Sequence, residues 1–136
     1  MADKKKILEI LKQTYCRLEA SKIEGVGVFA IRNIPKGVNP FYSGETQEWE
    51  EFDVSEFKDL SLELMKMIDD FFIIEDGKVY VPETGLNGMD LSFFLNNSNN
   101  PNVETCDGGF SFITLRDIKK GEELTVKYST YDSKWK

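Results

Sequence analysis

The chain has 136 residues, 40% of them hydrophobic and ten of them phenylalanine, which supplies one core and is too short for two ordinary domains. It contains no histidine, so imidazole bases, Ser-His-Asp and Cys-His nucleophile systems and histidine-liganded metals are all excluded. With 24 acidic against 17 basic residues the net charge is −7, which repels a phosphate backbone and attracts a basic protein or peptide.

In chain order, Met1-Ala2-Asp3-Lys4-Lys5-Lys6 lacks the apolar segment of a secretory leader, and no run approaches the roughly 18 apolar residues of a membrane span. A cytoplasmic protein is expected, with nuclear or host-directed settings left open and neither membrane nor direct nucleic-acid contact. Residues 4 to 14 carry Ile7, Leu8, Ile10 and Leu11 among lysines, the pattern of a short amphipathic helix. Arg17-Leu18-Glu19-Ala20 then alternates, Gly25 and Gly27 punctuate, and Val26 to Ile31 reads as a strand. Ile34-Pro35-Lys36-Gly37 is a turn, followed by a short run through Phe41 and Tyr42 that ends at Gly44.

From Glu45 to Asp59 seven carboxylates face only Lys58, which is either a solvated acidic face or a docking strip for a Lys/Arg-rich substrate. Phe57, Leu60, Leu64, Ile68 and Phe71 share one helical stripe, with Asp53 or Asp59 as N-cap and an end near Asp70. Asp76-Gly77 marks a hairpin between Ile73-Ile74 and Val79-Tyr80-Val81. Phe110 to Leu115 alternates as a strand, Lys119 to Glu122 turns, and Leu124-Thr125-Val126 is the last strand. The fold class is therefore mostly β with minor α. Cys16 and Cys106 are too few for a four-thiolate zinc site; two buried free thiols, and no metal, are expected.

Three segments stand in informative order: Glu24-Gly25-Val26-Gly27-Val28-Phe29-Ala30 with Tyr42-Ser43-Gly44-Glu45; Asn96-Asn97-Ser98-Asn99-Asn100-Pro101-Asn102; and Arg116-Asp117-Ile118 leading through Gly121-Glu122-Glu123-Leu124-Thr125 to Tyr128. A lone Gly-x-Gly would fit any tight turn. Together, from about residue 17 to 131, they resemble the SET domain family of protein lysine methyltransferases. The resemblance implies a fold of short strands, a β-clip, whose C-terminal segment threads under a surface loop as a pseudoknot. It divides the chain, taken as a single SET domain over 1–136, into a helical extension at 1–14, a core at 15–131 and a tail at 132–136. It also implies S-adenosyl-L-methionine on one concave face and a lysine entering from the opposite side through a narrow channel.

Carried over by position, the resemblance makes Tyr128 the catalytic residue and Tyr42, Tyr80, Tyr131 and Val126 the channel wall. Glu24, Gly25, Val26, Gly27, Asn96, Asn97, Tyr128 and Trp135 become the cofactor contacts. Glycines at 25 and 27 would let the backbone approach the cofactor's methionine part. Asn96 offers a donor and an acceptor to its ammonium and carboxylate ends, and Asn97 main-chain groups to the adenine edge. Trp135 either folds back over the adenine or the channel, or is a loose end.

A neutral lysine amine costs about 4 to 5 kcal/mol near neutral pH. An apolar channel and a neighbouring sulfonium both lower that cost, so a histidine-free enzyme needs no dedicated base. The family's Asn-His-Ser box has Asn97 where the histidine stands, Phe93 replaces a basic residue before it, and Lys127 precedes the tyrosine in place of Asp. Val126 stands where many members carry an aromatic that limits methyl number. The expected partner is a basic lysine-containing protein or peptide, a histone included, with a homodimer open. The rival function is a SET-like module without activity that grips a basic peptide in the same groove.

Overall fold

The computed structural model describes residues 3–43 and 47–135, which leaves Gly44 and Glu45 of the motif outside the described residues. Helix α1 (Lys4–Lys12) starts where the Asp3 carboxylate accepts from the N–H groups of Lys5 and Lys6, and none of its residues is buried. Strands β1 (Cys16–Ala20) and β2 (Val26–Ala30) form an antiparallel hairpin in register from Cys16 opposite Ala30 to Ala20 opposite Val26. Gly25 turns it with φ at 49°, a conformation that costs a Cβ-bearing residue about 1 to 2 kcal/mol.

The acidic run is not one face. Strand β3 (Trp49–Asp53) alternates, so Trp49 and Glu51 share one side and Glu50 and Phe52 the other. Asp53 and Glu56 are taken up by a capping box on a 3-10 turn at Val54–Phe57, and the cap's hydrogen bonds with Lys78 hold the Asp53 carboxyl down to about 2. That turn also corrects the helix start. Helix α2 (Leu62–Phe71) begins only after Ser61, whose hydroxyl accepts from the Leu64 N–H at 3.2 Å, so Phe57 and Leu60 lie outside it. A local side-chain cap outcompeted the apolar period. Ile68 is the helix's buried contact, packing with Phe72 and Val79 in the smaller of two cores.

Strands β4 (Ile74–Glu75) and β5 (Lys78–Pro82) form the expected hairpin; Asp76 and Gly77 both have positive φ, as a type I′ turn requires. The sheet order is β3-β5-β4. Three strands have no counterpart among the sequence expectations: β3, β6 (Asn96–Asn97) and β7 (Val103–Glu104). Strand β8 covers only Ile113–Thr114, paired with β7, because the Asp107 carboxylate accepts the Ser111 N–H and bends Phe110 out of the expected strand.

Strand β9 (Glu123–Val126) is central to the larger core. It runs antiparallel to β2, with Val28 opposite Leu124, and parallel to β6, with Asn96 opposite Thr125. The four-stranded order is β1-β2-β9-β6. Val28, Val103, Leu124 and Val126 are buried here with Ile34 and Ile118, whose backbones bond to each other in both directions. Each such side chain contributes about 1.5 to 3 kcal/mol by burial. Cys16 belongs to this core, and burial pushes its thiol up to about 12. Cys106, expected to be buried too, is exposed.

Candidate active site

The Asn-rich segment and the C-terminal strand meet through a buried asparagine. Asn102, 3% exposed, donates from Nδ2 to the Glu123 carbonyl at 2.9 Å and accepts the Thr125 N–H on Oδ1 at 2.8 Å. Its own N–H donates to the Thr125 carbonyl, and its carbonyl accepts from Leu115 N–H. One side chain thus satisfies strand groups that would otherwise be buried without partners. Past the strand, Asn97 Oδ1 accepts the Tyr128 N–H at 2.8 Å, and the Tyr128 hydroxyl donates to the Leu95 carbonyl at 2.5 Å. Tyr128 is therefore fixed at both its backbone and its tip by the segment just before and within β6.

Around that tyrosine the C-terminal residues close in. Trp135 packs edge to face on the Tyr128 ring with centroids 5.0 Å apart, and Tyr131 does so at 6.3 Å. The tail is folded back, as one of its two expected alternatives had it. Burial raises the Tyr128 phenol above its ordinary value, with the Glu24 and Glu123 charges adding to the effect, and burial raises Tyr131 more strongly. Both stay protonated near pH 7, and Tyr128 donates to Leu95 as a neutral phenol.

Tyr128, Tyr131 and Trp135 border a cavity of about 600 Å³ whose other walls include Trp49, Tyr80 and Phe110. Phe110 packs edge to face on both Trp49 and Tyr80, at 5.0 and 5.5 Å. Among the described residues, five carboxylates line this cavity (Asp70, Glu75, Asp76, Asp90 and Asp132) against two ammonium groups. Both cations are already paired, Lys78 with Asp53 at 3.1 Å and Lys134 with Asp69 at 3.8 Å. Among the described residues, the acids that rim the concavity thus come from α2, the β4–β5 hairpin and the loops, and none of the acids from Glu48 to Asp59 is among them.

Two expected wall residues do not join this cavity. Tyr42, 60% exposed, borders a separate concavity of about 260 Å³ with Gln13, Tyr15, Val38 and Asn39. Val126 is 1% exposed, its side chain sealed in the core, since alternation along β9 turns it away from the surface. Glu24, Gly25, Val26 and Gly27 lie on the β1–β2 turn and β2, also outside the cavity walls.

The Gly-x-Gly hairpin and Asn96 nonetheless form a second cluster beside Tyr128. Asn96 Nδ2 faces the carbonyls of Glu24 and Val26, at 3.1 and 3.2 Å, and Glu123 Oε2 at 2.9 Å. The amide donor is thus engaged internally, which leaves Oδ1 as the part of Asn96 available to a ligand. Glu123, which the sequence reading passed over, is also held by the Ser21 hydroxyl at 2.8 Å. A Cβ on residue 27 would sit 2.2 Å from Glu123 Oε2, so glycine there makes room for the carboxylate. The signal for Glu123 was a single acid between Gly121-Glu122 and an apolar strand. Two carbonyls and a carboxylate around two amide protons leave acceptors in excess, a donor set that fits a cationic ligand group such as an ammonium or a sulfonium.

The sequence profile of the SET domain matches residues 25–129. The chain belongs to the SET domain family. Two solved structures share the SET domain fold with it. One, a Plasmodium falciparum histone methyltransferase candidate, is 15% identical, aligned over 85% of this chain and 93% of that one, with a TM-score of 0.53. The other, a humanized mutant of the Chaetomium thermophilum Polycomb Repressive Complex 2 bound to an inhibitor, is 21% identical over 86% of this SET domain chain and 15% of that one, with a TM-score of 0.54. No curated protein sequence matches the chain.

Proposed function

We propose that this SET domain transfers a methyl group from S-adenosylmethionine to a lysine side chain of a basic protein or peptide, histone tails included. The observation that carries the reading is the Tyr128 phenol, tied to the Leu95 carbonyl and set between the acceptor cluster and the acid-rimmed cavity. Residues 15–131 act as the catalytic unit, with 1–14 as an extension and 132–136 as a tail.

When bound, S-adenosylmethionine supplies an electrophilic methyl on a sulfonium sulfur. The Val26 and Glu24 carbonyls, the Glu123 carboxylate and Asn96 Oδ1 would hold the ammonium group of its amino-acid end near the hairpin. The carboxylates of Glu24 and Glu123 give the Tyr128 surroundings a negative field that favours a positive centre. Tyr80, Tyr131 and Trp49 form the apolar wall along which the lysine stem lies, and desolvation there favours its neutral amine. Tyr128, protonated, serves as an orienting hydroxyl rather than a base, since burial and nearby carboxylates both oppose ionisation. Alignment of the amine with the methyl is the remaining contribution.

The internal use of the Asn96 donor favours the rival reading of a binding module without activity. Two measurements separate the two. Melting with S-adenosylmethionine at 100 times its dissociation constant should show about 2.7 kcal/mol of stabilisation. Incubation of the protein with methyl-labelled S-adenosylmethionine and a mixed basic-protein extract should label lysines. No thermal shift and no label would leave only the peptide-binding module.

A further inference from the structure

We propose that Lys4, Lys5 and Lys6 are themselves methyl acceptors, modified by the acid-rimmed cavity of a second copy of this chain. The inference rests on the lysine methyl-transfer reading above. These three are consecutive lysines in a chain of net charge −7. They open α1, a nine-residue helix with no buried residue. Isolated helices shorter than about 12 to 15 residues are marginal in water, so the first turn unwinds at little cost. Its cap is internal: the Asp3 carboxylate accepts from Lys5 and Lys6 and the Asp3 carbonyl from Ile7, all of the same helix.

The other adjacent lysine pair is differently placed. The Lys119 and Lys120 N–H groups are bonded to Glu122 and Asn33, in the turn between β8 and β9 that is itself bonded to the end of β2 through Ala30, and cannot be drawn out as an extended segment.

Complementarity supplies the partner. The cavity presents five carboxylates and no unpaired ammonium group among the described residues, over a floor of Trp49, Tyr80 and Phe110. The segment offers three ammonium groups followed by Ile7 and Leu8, both exposed in the isolated chain. A second copy is required because α1 is moored elsewhere. Its last carbonyl, on Lys12, accepts from Arg32 Nη1 at 3.0 Å, and Gln13 and Tyr15 just after it border the Tyr42 concavity, which shares no described wall residue with the Tyr128 cavity.

In the step, the neutral ε-nitrogen of the lysine forms a bond to the sulfonium methyl carbon. The carbon–sulfur bond breaks with its electron pair going to sulfur, leaving S-adenosylhomocysteine, and the methylated ammonium loses a proton to solvent.

The test mixes two full-length chains with methyl-labelled S-adenosylmethionine: a donor carrying Lys4→Arg, Lys5→Arg and Lys6→Arg, and an acceptor carrying Tyr128→Phe that is folded at the assay temperature and melts cooperatively above it. Fragment masses should show added methyl groups, about 14 Da each, within residues 4–6 of the acceptor. The initial rate should rise with donor concentration and fall severalfold between 50 and 300 mM salt. If the acceptor does not fold, wild type alone should gain the same mass at residues 4–6 at a rate per chain that rises with protein concentration and falls on dilution. Label on an extract of basic proteins with none on residues 4–6 overturns this inference and leaves the methyl-transfer reading standing. Label nowhere overturns both, and a rate per chain independent of concentration overturns the role of the second copy.

Discussion

Replacing Tyr128 by Phe removes one oxygen and little else. The ring keeps its edge-to-face contacts with Trp135 and Tyr131, and the backbone N–H keeps its bond to Asn97. The lost group is the hydroxyl at 2.5 Å from the Leu95 carbonyl. For folding, losing a neutral hydrogen bond costs about 0.5 to 1.5 kcal/mol, measured as a shift in the urea midpoint at constant slope. For turnover, a single positioned donor at a reacting centre is worth about 100- to 1,000-fold. Single-turnover methylation of a basic peptide should therefore slow by that factor while S-adenosylmethionine binds within a few-fold of wild type. The wild-type rate should also climb with pH through 7 to 9, because the amine ionises near 10.4 whereas Tyr128 and Tyr131 are raised above the usual phenol range. The stability those neutral phenols contribute is full below about pH 10 and declines only above it. Full turnover in Tyr128→Phe, or a falling limb below pH 9, would refute the reasoning.

Four further tests, using six substitutions, probe the surroundings. Glu123→Gln should weaken S-adenosylmethionine binding by about 10- to 150-fold, from loss of a charge-assisted contact, read by calorimetry; unchanged affinity would remove the carboxylate from the site. Gly27→Ala should destabilise by about 1 to 3 kcal/mol through its clash with Glu123 and also weaken cofactor binding, whereas Gly25→Ala, which meets nothing within 4 Å, should cost only its backbone strain; equal effects would contradict the geometry. Asn102→Ala leaves a buried N–H and C=O unpaired and should cost about 2 to 6 kcal/mol in chemical denaturation, against less than 1 if the pairing is unimportant. Glu75→Gln with Asp76→Asn should raise KM for a basic peptide and flatten its salt dependence, with kcat unchanged; KM within twofold of wild type would mean the rim does not meet the substrate.

Legibility in the sequence followed the range of the interactions. The β1–β2 and β4–β5 hairpins were readable because Gly25 and Asp76-Gly77 specify their turns locally. Strands β6 and β7 were not, since each has two residues, too few to show a period, and each exists through its pairing, β6 with the distant β9 and β7 with β8. Strand β3 was hidden because Glu50 and Glu51 on it read as a charged surface, although Trp49 and Phe52 frame them. At the site, Tyr128, Tyr131, Tyr80 and Trp135 border one cavity, while Tyr42 and Val126 do not. Family position conveys order along the chain; it does not convey which way a strand's alternation points a side chain.

The placement of β9 between β2 and β6 has a consequence for how the protein is made. A ribosome delivers the first hairpin long before the strand that must lie beside it, so the nascent chain carries the open flank of β2 through most of its synthesis. Pairing of that kind closes slowly, because the loop must be gathered before any contact rewards it. Cellular yield of this protein should accordingly depend on chaperone supply during translation more than its final stability would suggest.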